Sequence, residues 1–284
     1  MPRIGIVLAG GMSKGAYEIG CLNAISKYFP KEDIVRISAS SIGTLIAYAY
    51  TSGQLDRLTE MWKGLDVKKT GSFFPKFSGN AEILEQVRSF VVPSDQLFCK
   101  TYGTVWNFTA RKVEYMPFHK LDEDAARDYL CASMAIPIFG KGVKINGCTM
   151  YDGAFIDNIP VYPMVNKDLD YIFCIYFDGQ NYMFESEEFN QKIVKLYRFP
   201  NQKRMENFSF DPKSVDGMIE LAYNYTCDVI EQLFPGREKE EIYSELRKME
   251  SVNIANEKKR LTGDVLLYHI NKMTKRYAKR VHYE

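Results

Sequence analysis

The sequence predicts an α/β fold, with a mostly parallel central sheet covered by helices and a helical C-terminal region. Three observations carry this. Short apolar runs rich in β-branched residues ("RIGIVLA", "IVRISA") and the aromatic-rich "LDYIFCIYF" read as buried strands. The first 65 residues alternate β-α-β-α-α, an order that argues for parallel neighbours joined by helices. From Lys213 onward the pattern is helical.

Taken in order, residues 3–9 form a strand that ends at Gly10-Gly11. "KGAYEIGCLNAISKYF" carries Ala16, Ile19, Leu22, Ile25 and Phe29 at helical spacing. "IVRISA" is the second strand, "SIGTLIAYAYTSG" an apolar helix closed by Gly53, and "QLDRLTEMWKGL" an amphipathic helix. A Gly/Pro loop with Phe73, Phe74 and Phe77 follows, then the helix "AEILEQVRSFV". "YGTVWNFTA" and "KVEYMPF" read as paired strands. The helix "KLDEDAARDYLCASMAI" opens on Asp122, Glu123 and Asp124, a trio better explained by the helix dipole than by a metal. "VKINGCTMYDGAFIDNIPV" is a hairpin turning at Asn146-Gly147, continued by a loop. After the strand "LDYIFCIYF" comes a polar connector, "DGQNYMFESEEFNQ", and three helices, the last being "DVLLYHINKMTKRYAKRV". The expected division is an α/β catalytic body over residues 1–180 and a helical region over 181–284, packed on the body or capping it.

Composition narrows the function classes. A formal net charge of +1 exerts no global pull toward nucleic acid, so no nucleic-acid partner is expected. Six scattered cysteines without a C-x-x-C fit a reduced, cytoplasmic protein rather than a disulfide scaffold. The N-terminal apolar run is too short for a signal-peptide core or a span, and no other run approaches spanning length.

Three stretches carry chemistry. "ISASSIGTL" places Ala39-x-Ser41-x-Gly43 between a strand and a helix, the arrangement of a nucleophile elbow. The alternative is that Ser40 or Ser41 merely caps the helix. "GGMSKG", Gly10 to Gly15, is a Gly-rich turn whose backbone N–H groups can face an anion. It matches neither phosphate-binding pattern, G-x-x-x-x-G-K-[ST] or G-x-G-x-x-G, and an oxyanion is the other occupant, with Lys14 fixing the loop or attracting a headgroup. In "YDGAFIDNIPV", Asp152 follows a strand and precedes Gly153 and Ala154, which do not crowd it; an Asx-turn is the alternative. Asp157 is a rival carboxylate, and Asn158 a brace for the loop.

The order Gly-rich loop, x-x-S-x-G, "ASMAIP" (Ala132 to Pro137), then D-G-A with a following "DNIP" resembles the patatin-like phospholipases over roughly residues 4–178. The resemblance implies a three-layer α/β/α patatin-like fold and a Ser–Asp dyad in place of a triad. On it, Ser41 is the nucleophile and Asp152 the general base. The N–H groups of Gly10, Gly11 and Met12 form the oxyanion hole, with Lys14, Gly15, Gly43, Gly153 and Asn158 in support. It further implies a lipid acyl hydrolase acting on phospholipid or lysophospholipid esters, with no metal and no organic cofactor. A general carboxylesterase or acyl-thioesterase using the same dyad, and a lipid-binding protein without activity, are the alternatives. Three departures stand out: Met12 for the third glycine of the usual run, Lys14 where Arg is commoner, and Ala39 for Gly. The hole persists provided Met12 needs no positive φ. A dyad leaves His119, His269 and His282 without a catalytic part, and it asks that burial raise the Asp152 pKa.

Peripheral membrane contact has two candidates. One is the Phe73–Phe77 loop. The other is the last helix, whose Leu266, Ile270, Met273, Tyr277 and Val281 form a stripe flanked by Lys and Arg. In the alternative, the stripe packs on the body and the charges are solvated.

Overall fold

The computed structural model describes residues 1–64, 81–137, 140–199, 211–251, 257–260 and 279–282. The Phe73–Phe77 loop and most of the last predicted helix lie outside these residues.

The strands are β1 (Ile4–Leu8), β2 (Ile34–Ser40), β3 (Lys100–Asn107), β4 (Lys112–Pro117), β5 (Val143–Ile145), β6 (Cys148–Asp152), β7 (Tyr171–Ile175), β8 (Asn181–Phe184), β9 (Ile193–Leu196), β10 (Glu257–Arg260) and β11 (Lys279–His282). The main sheet runs β11-β4-β3-β2-β1-β7-β9, with β6 joining β3 and β5 joining β6. The pairs β1/β2, β1/β7, β2/β3, β7/β9 and β4/β11 are parallel; β3/β4, β3/β6 and β5/β6 are antiparallel. The β5/β6 turn is Asn146-Gly147, both at positive φ (48° and 76°), as a two-residue hairpin requires.

Period-two alternation sorts each central strand between two cores. Ile4, Ile6 and Leu8 share one face with Ile37, Ala39, Phe173 and Ile175. That face is covered by α1 (Gly15–Tyr28), α2 (Ile42–Thr51), α3 (Leu55–Gly64) and the long C-terminal helix Pro212–Leu233. Val7, Ile172 and Cys174 point the other way, onto Ile159, Val161, Met164 and Leu169 from the segment after β6. A two-stranded parallel sheet, β8 with β10, lies off the main sheet. No helix among the described residues is long and apolar enough to cross a membrane.

Two regions differ from the sequence reading. The expected polar connector after residue 180 contains β8 and a four-residue helix, Glu187–Asn190, and β9 then extends the main sheet to Leu196. A four-residue strand is too short to show a period. At the far end, Lys279–His282 pairs with β4 as an edge strand where a helix was predicted. The acidic trio behaves as expected at a helix start: Asp122 caps the Ala125 N–H, and Glu123 and Asp124 both pair with Arg127.

The C-terminal helix is seated by one glycine. A Cβ on Gly20 of α1 would fall 2.2 Å from the carbonyl oxygen of Ile219, a contact with rigid backbone. Gly20→Ala therefore forces the two helices apart. The expected loss is about 1–3 kcal/mol in denaturant unfolding, despite the higher helix propensity of Ala.

Candidate active site

The site is assembled by register along β3. Strand β2 runs parallel to β3 and ends with Ser40 opposite Thr104. Strand β6 runs antiparallel and ends with Asp152 opposite Val105, one residue further on. The two strands thus meet end to end on the same edge of β3. Gly153 fits this junction because a Cβ there would lie 2.5 Å from the Thr104 carbonyl carbon. The Thr104 hydroxyl donates to the Ala39 carbonyl, and the Asp152 N–H to the Ala135 carbonyl of the "ASMAIP" stretch.

Ser41 is the first residue past β2, at φ 55°, ψ −134°, a backbone conformation that is costly for any residue with a Cβ. It makes no capping hydrogen bond to α2; its Oγ donates instead to Asp152 Oδ2 at 2.6 Å. Ser40 points elsewhere, donating to the Asp157 carbonyl at 3.2 Å. The capping alternative fails for both serines. Gly43 brings the first turn of α2 to within van der Waals reach of the Leu8 and Ala9 backbone at the end of β1.

Asp152 is only 5% exposed. Its other oxygen accepts from the Ala154 N–H at 2.8 Å. Burial pushes its carboxyl up from 3.8 to about 7, and the hydrogen bonds from Ser41 and Ala154 oppose this rise without cancelling it.

The Gly-rich loop closes the third side. Asn158 clasps Gly10 twice: its Oδ1 accepts the Gly10 N–H (2.9 Å) and its Nδ2 donates to the Gly10 carbonyl (3.1 Å). A Cβ on Gly10 would lie 2.6 Å from both Asn158 Oδ1 and Ser41 Cβ, so no larger residue fits between them. The Gly10 N–H, expected to face an oxyanion, is therefore committed to Asn158. The N–H groups of Gly11 and Met12 have no partner among the described residues. Met12 does take a positive φ, 58°, contrary to the condition set from sequence; its N–H nonetheless remains available, at the strain of a left-handed residue. Lys14 reaches the Phe177 carbonyl (3.5 Å) and lies 5.7 Å from that ring's centroid, which ties the loop to the residue two past β7. Gly15 opens α1 against Ile46 and Trp62.

The rival carboxylate, Asp157, is wholly buried and structural. It accepts from the Tyr115 hydroxyl at 2.5 Å and pairs with Arg260 of β10 at 3.0 Å. Neither partner was visible in the sequence, since they stand 42 and 103 residues away with no local motif. His119 is remote from Ser41, at the start of β3, where its Nδ1 meets the Thr101 carbonyl.

The family profile described as patatin-like phospholipase matches residues 6–165, more than half of the chain. The chain belongs to the patatin-like phospholipases. It is 26% identical over 186 residues to an uncharacterized NTE family protein of Mycobacterium tuberculosis, covering 63% of this chain and 50% of that protein. It is 25% identical over 189 residues to lysophospholipase NTE1 of Candida albicans, covering 61% of this chain and 13% of the relative. The chain thus spans half the length of the mycobacterial relative. The crystal structure of VipD from Legionella pneumophila shares the fold at TM-score 0.54 and 11% identity, over 81% of this chain and 67% of VipD.

In this patatin-like chain the buried Asp152 has a thermodynamic consequence. Its folded-state value lies above its unfolded one, so the folded chain holds an extra proton between about pH 4 and pH 7. The group's contribution to stability is complete below about pH 4 and is lost as pH rises through about 7. Asp152→Asn keeps the contact with Ser41 and cannot ionise. Its melting temperature is expected to exceed the parent's at pH 8, by up to roughly 4 kcal/mol in stability, and to match it at pH 4. Thermal melts at both pH values check this.

Proposed function

We propose that the chain is a lipid acyl hydrolase of the phospholipase A or lysophospholipase type, cleaving carboxylic esters through a Ser41–Asp152 dyad and an acyl-enzyme intermediate. The observation that carries this reading is the 2.6 Å hydrogen bond from Ser41 Oγ to a buried carboxylate poised near neutral pH. Family membership and the likeness to a fungal lysophospholipase support the substrate class.

Chemically, Ser41 Oγ attacks the acyl carbonyl while its proton passes to Asp152. The oxyanion that forms is held by the N–H groups of Gly11 and Met12, fixed in place before the reaction begins. The tetrahedral species collapses, the ester C–O bond breaks, and the proton on Asp152 moves to the departing alkoxide. Water then enters; Asp152 takes its proton as the hydroxide adds to the acyl carbon. Collapse releases the fatty acid and returns the proton to Ser41. A base near 7 suits this cycle because a substantial fraction, about half at pH 7, is ionised in the resting enzyme, yet it accepts a proton more readily than an ordinary carboxylate.

A lipid substrate lies in an interface, and one aromatic surface suits contact with it. Phe108 and Phe155 are 52% and 42% exposed, and both pack on Trp106, with Tyr151 against Trp106 and Phe108. Tyr151 and Phe155 flank Asp152 in sequence, and Phe108 sits further back along β6, its N–H on the Thr149 carbonyl, so the cluster runs along β6 up to the dyad. Exposed aromatic rings of this kind favour the headgroup layer of a bilayer.

Covalent labelling with a fluorophosphonate, read by peptide mass spectrometry, is expected at Ser41 and in Ser40→Ala, but not in Ser41→Ala. Ser41→Ala and Asp152→Asn should each lose roughly 10³-fold or more in kcat/KM on phospholipid. In the parent, kcat/KM should fall about tenfold per pH step below an apparent pKa near 7. A limb near 4, or no labelling of folded protein, overturns the dyad. Phe108→Ser with Phe155→Ser should weaken vesicle binding and hydrolysis of vesicle lipid several-fold, leaving hydrolysis of a soluble short-chain ester unchanged; equal loss on both substrates overturns the interfacial role.

A further inference from the structure

A cationic cavity lies at the opposite end of the sheet. Arg36 is the third residue of β2, and Ser41 follows the end of that strand, roughly 16 Å away at strand rise. Around Arg36, at the N-terminal edge of the parallel strands, is a cavity of about 360 Å³. Its wall holds five cations, Arg3, Arg36, Lys100, Lys120 and Lys167, against one acid, Asp168. That acid is 88% exposed and already paired with Arg3 at 3.2 Å.

The imbalance is not surface noise. Arg36 is only 8% exposed, and a buried guanidinium is ordinarily paired with a carboxylate. Here its Nη1 donates to the Tyr102 hydroxyl (2.8 Å) and the Pro163 carbonyl (3.2 Å), and its Cζ lies 5.0 Å from the Tyr102 ring centroid. These contacts fix the guanidinium without neutralising it. Among the described residues no carboxylate pairs with Arg36, Lys100 or Lys120. The field is felt nearby. Burial lowers the Lys167 pKa, and the charges of Arg36 and Lys100 lower it further. Burial likewise brings His119 down to about 4, with Lys120, Lys100 and Arg36 adding to the effect, and its buried Nε2 has no hydrogen-bond partner. A preoriented guanidinium with flanking ammonium groups in a partly desolvated cavity has the chemistry of a phosphate receptor. The volume is that of a small-molecule pocket, larger than one phosphate needs.

We propose that this cavity binds a phosphomonoester-bearing polyanion of headgroup size, at a site separate from the Ser41–Asp152 pair. The ligand is either a soluble sugar or inositol phosphate or the phosphomonoester headgroup of a lipid; the receptor chemistry is the same for both.

Calorimetric titration of the full chain with inositol hexakisphosphate and with pyrophosphate tests the soluble source. Co-sedimentation with phosphatidylcholine vesicles, with and without phosphatidic acid, tests the lipid source. Saturable one-to-one binding in the first arm alone assigns a soluble ligand, and phosphatidic-acid-dependent sedimentation assigns the headgroup. Lys100→Ala with Lys120→Ala changes two exposed side chains and should preserve the fold, yet weaken binding tenfold or more. Lys144→Ala with Lys213→Ala, exposed and outside the cavity, should leave it unchanged, and so should Ser41→Ala. Binding in neither arm, or equal weakening by the two lysine pairs, overturns the proposal.

Discussion

The structure turns on one constraint: two strands must end against the same edge of β3, head to head, without either running past the other. Strand β2 stops opposite Thr104 and β6 stops opposite Val105. Because β2 and β6 approach from opposite directions, the residues that leave them, Ser41 and Asp152, converge although 111 positions separate them. Almost everything else near the site serves that junction. Gly153 permits the close approach, the Ala135 carbonyl anchors the Asp152 N–H, Thr104 holds the Ala39 carbonyl, and Asn158 draws the Gly10 turn over the top. The buried Asp157, held by Tyr115 and Arg260, fastens the loop after β6 to β4 and to the C-terminal β10.

The junction is built at a cost in stability. Ser41 and Met12 both take positive φ, and Asp152 is buried with two hydrogen bonds and no cation among the groups that act on it. Each feature is unfavourable for folding and would serve the proposed acyl transfer. The strained elbow keeps Oγ free of the helix it precedes, the strained Met12 leaves its N–H uncommitted, and desolvation turns a weak carboxylate base into one matched to neutral pH. A well-packed body of buried β-strands under helices supplies the stability that tolerates them.

Much of this was legible in the residues. The β-α-β alternation, the paired strands before residue 117, the Asn146-Gly147 turn and the long helix from Pro212 all stand where their patterns put them. So does the contact between Ser41 and Asp152, read from motif order. The illegible parts share a reason: each depends on a partner distant in sequence or on a conformation that residue type disfavours. The Gly10 N–H looked like a donor to substrate until Asn158 occupied it. The hole was made conditional on Met12 avoiding positive φ, which only glycine takes without strain, yet Met12 adopts it. Strand β9 and the edge strand β11 are too short to show a period, and each is defined by the neighbour it pairs with. Nothing in "IVRISA" marks Arg36 out; its cationic surroundings come from four other segments.

The sequence by itself determined the α/β class of fold, through local periodicity, and its motif order carried the resemblance to the patatin-like phospholipases, which in turn implied Ser41 and Asp152 as candidate nucleophile and base. Tertiary structure alone decided which N–H groups stay free, how far the Asp152 carboxyl is pushed up, that Asp157 is a brace, and that five cations gather at the far end of the sheet. Hydrogen-bond commitment, desolvation and electrostatic field are sums over neighbours in space, and no window along the chain contains those neighbours.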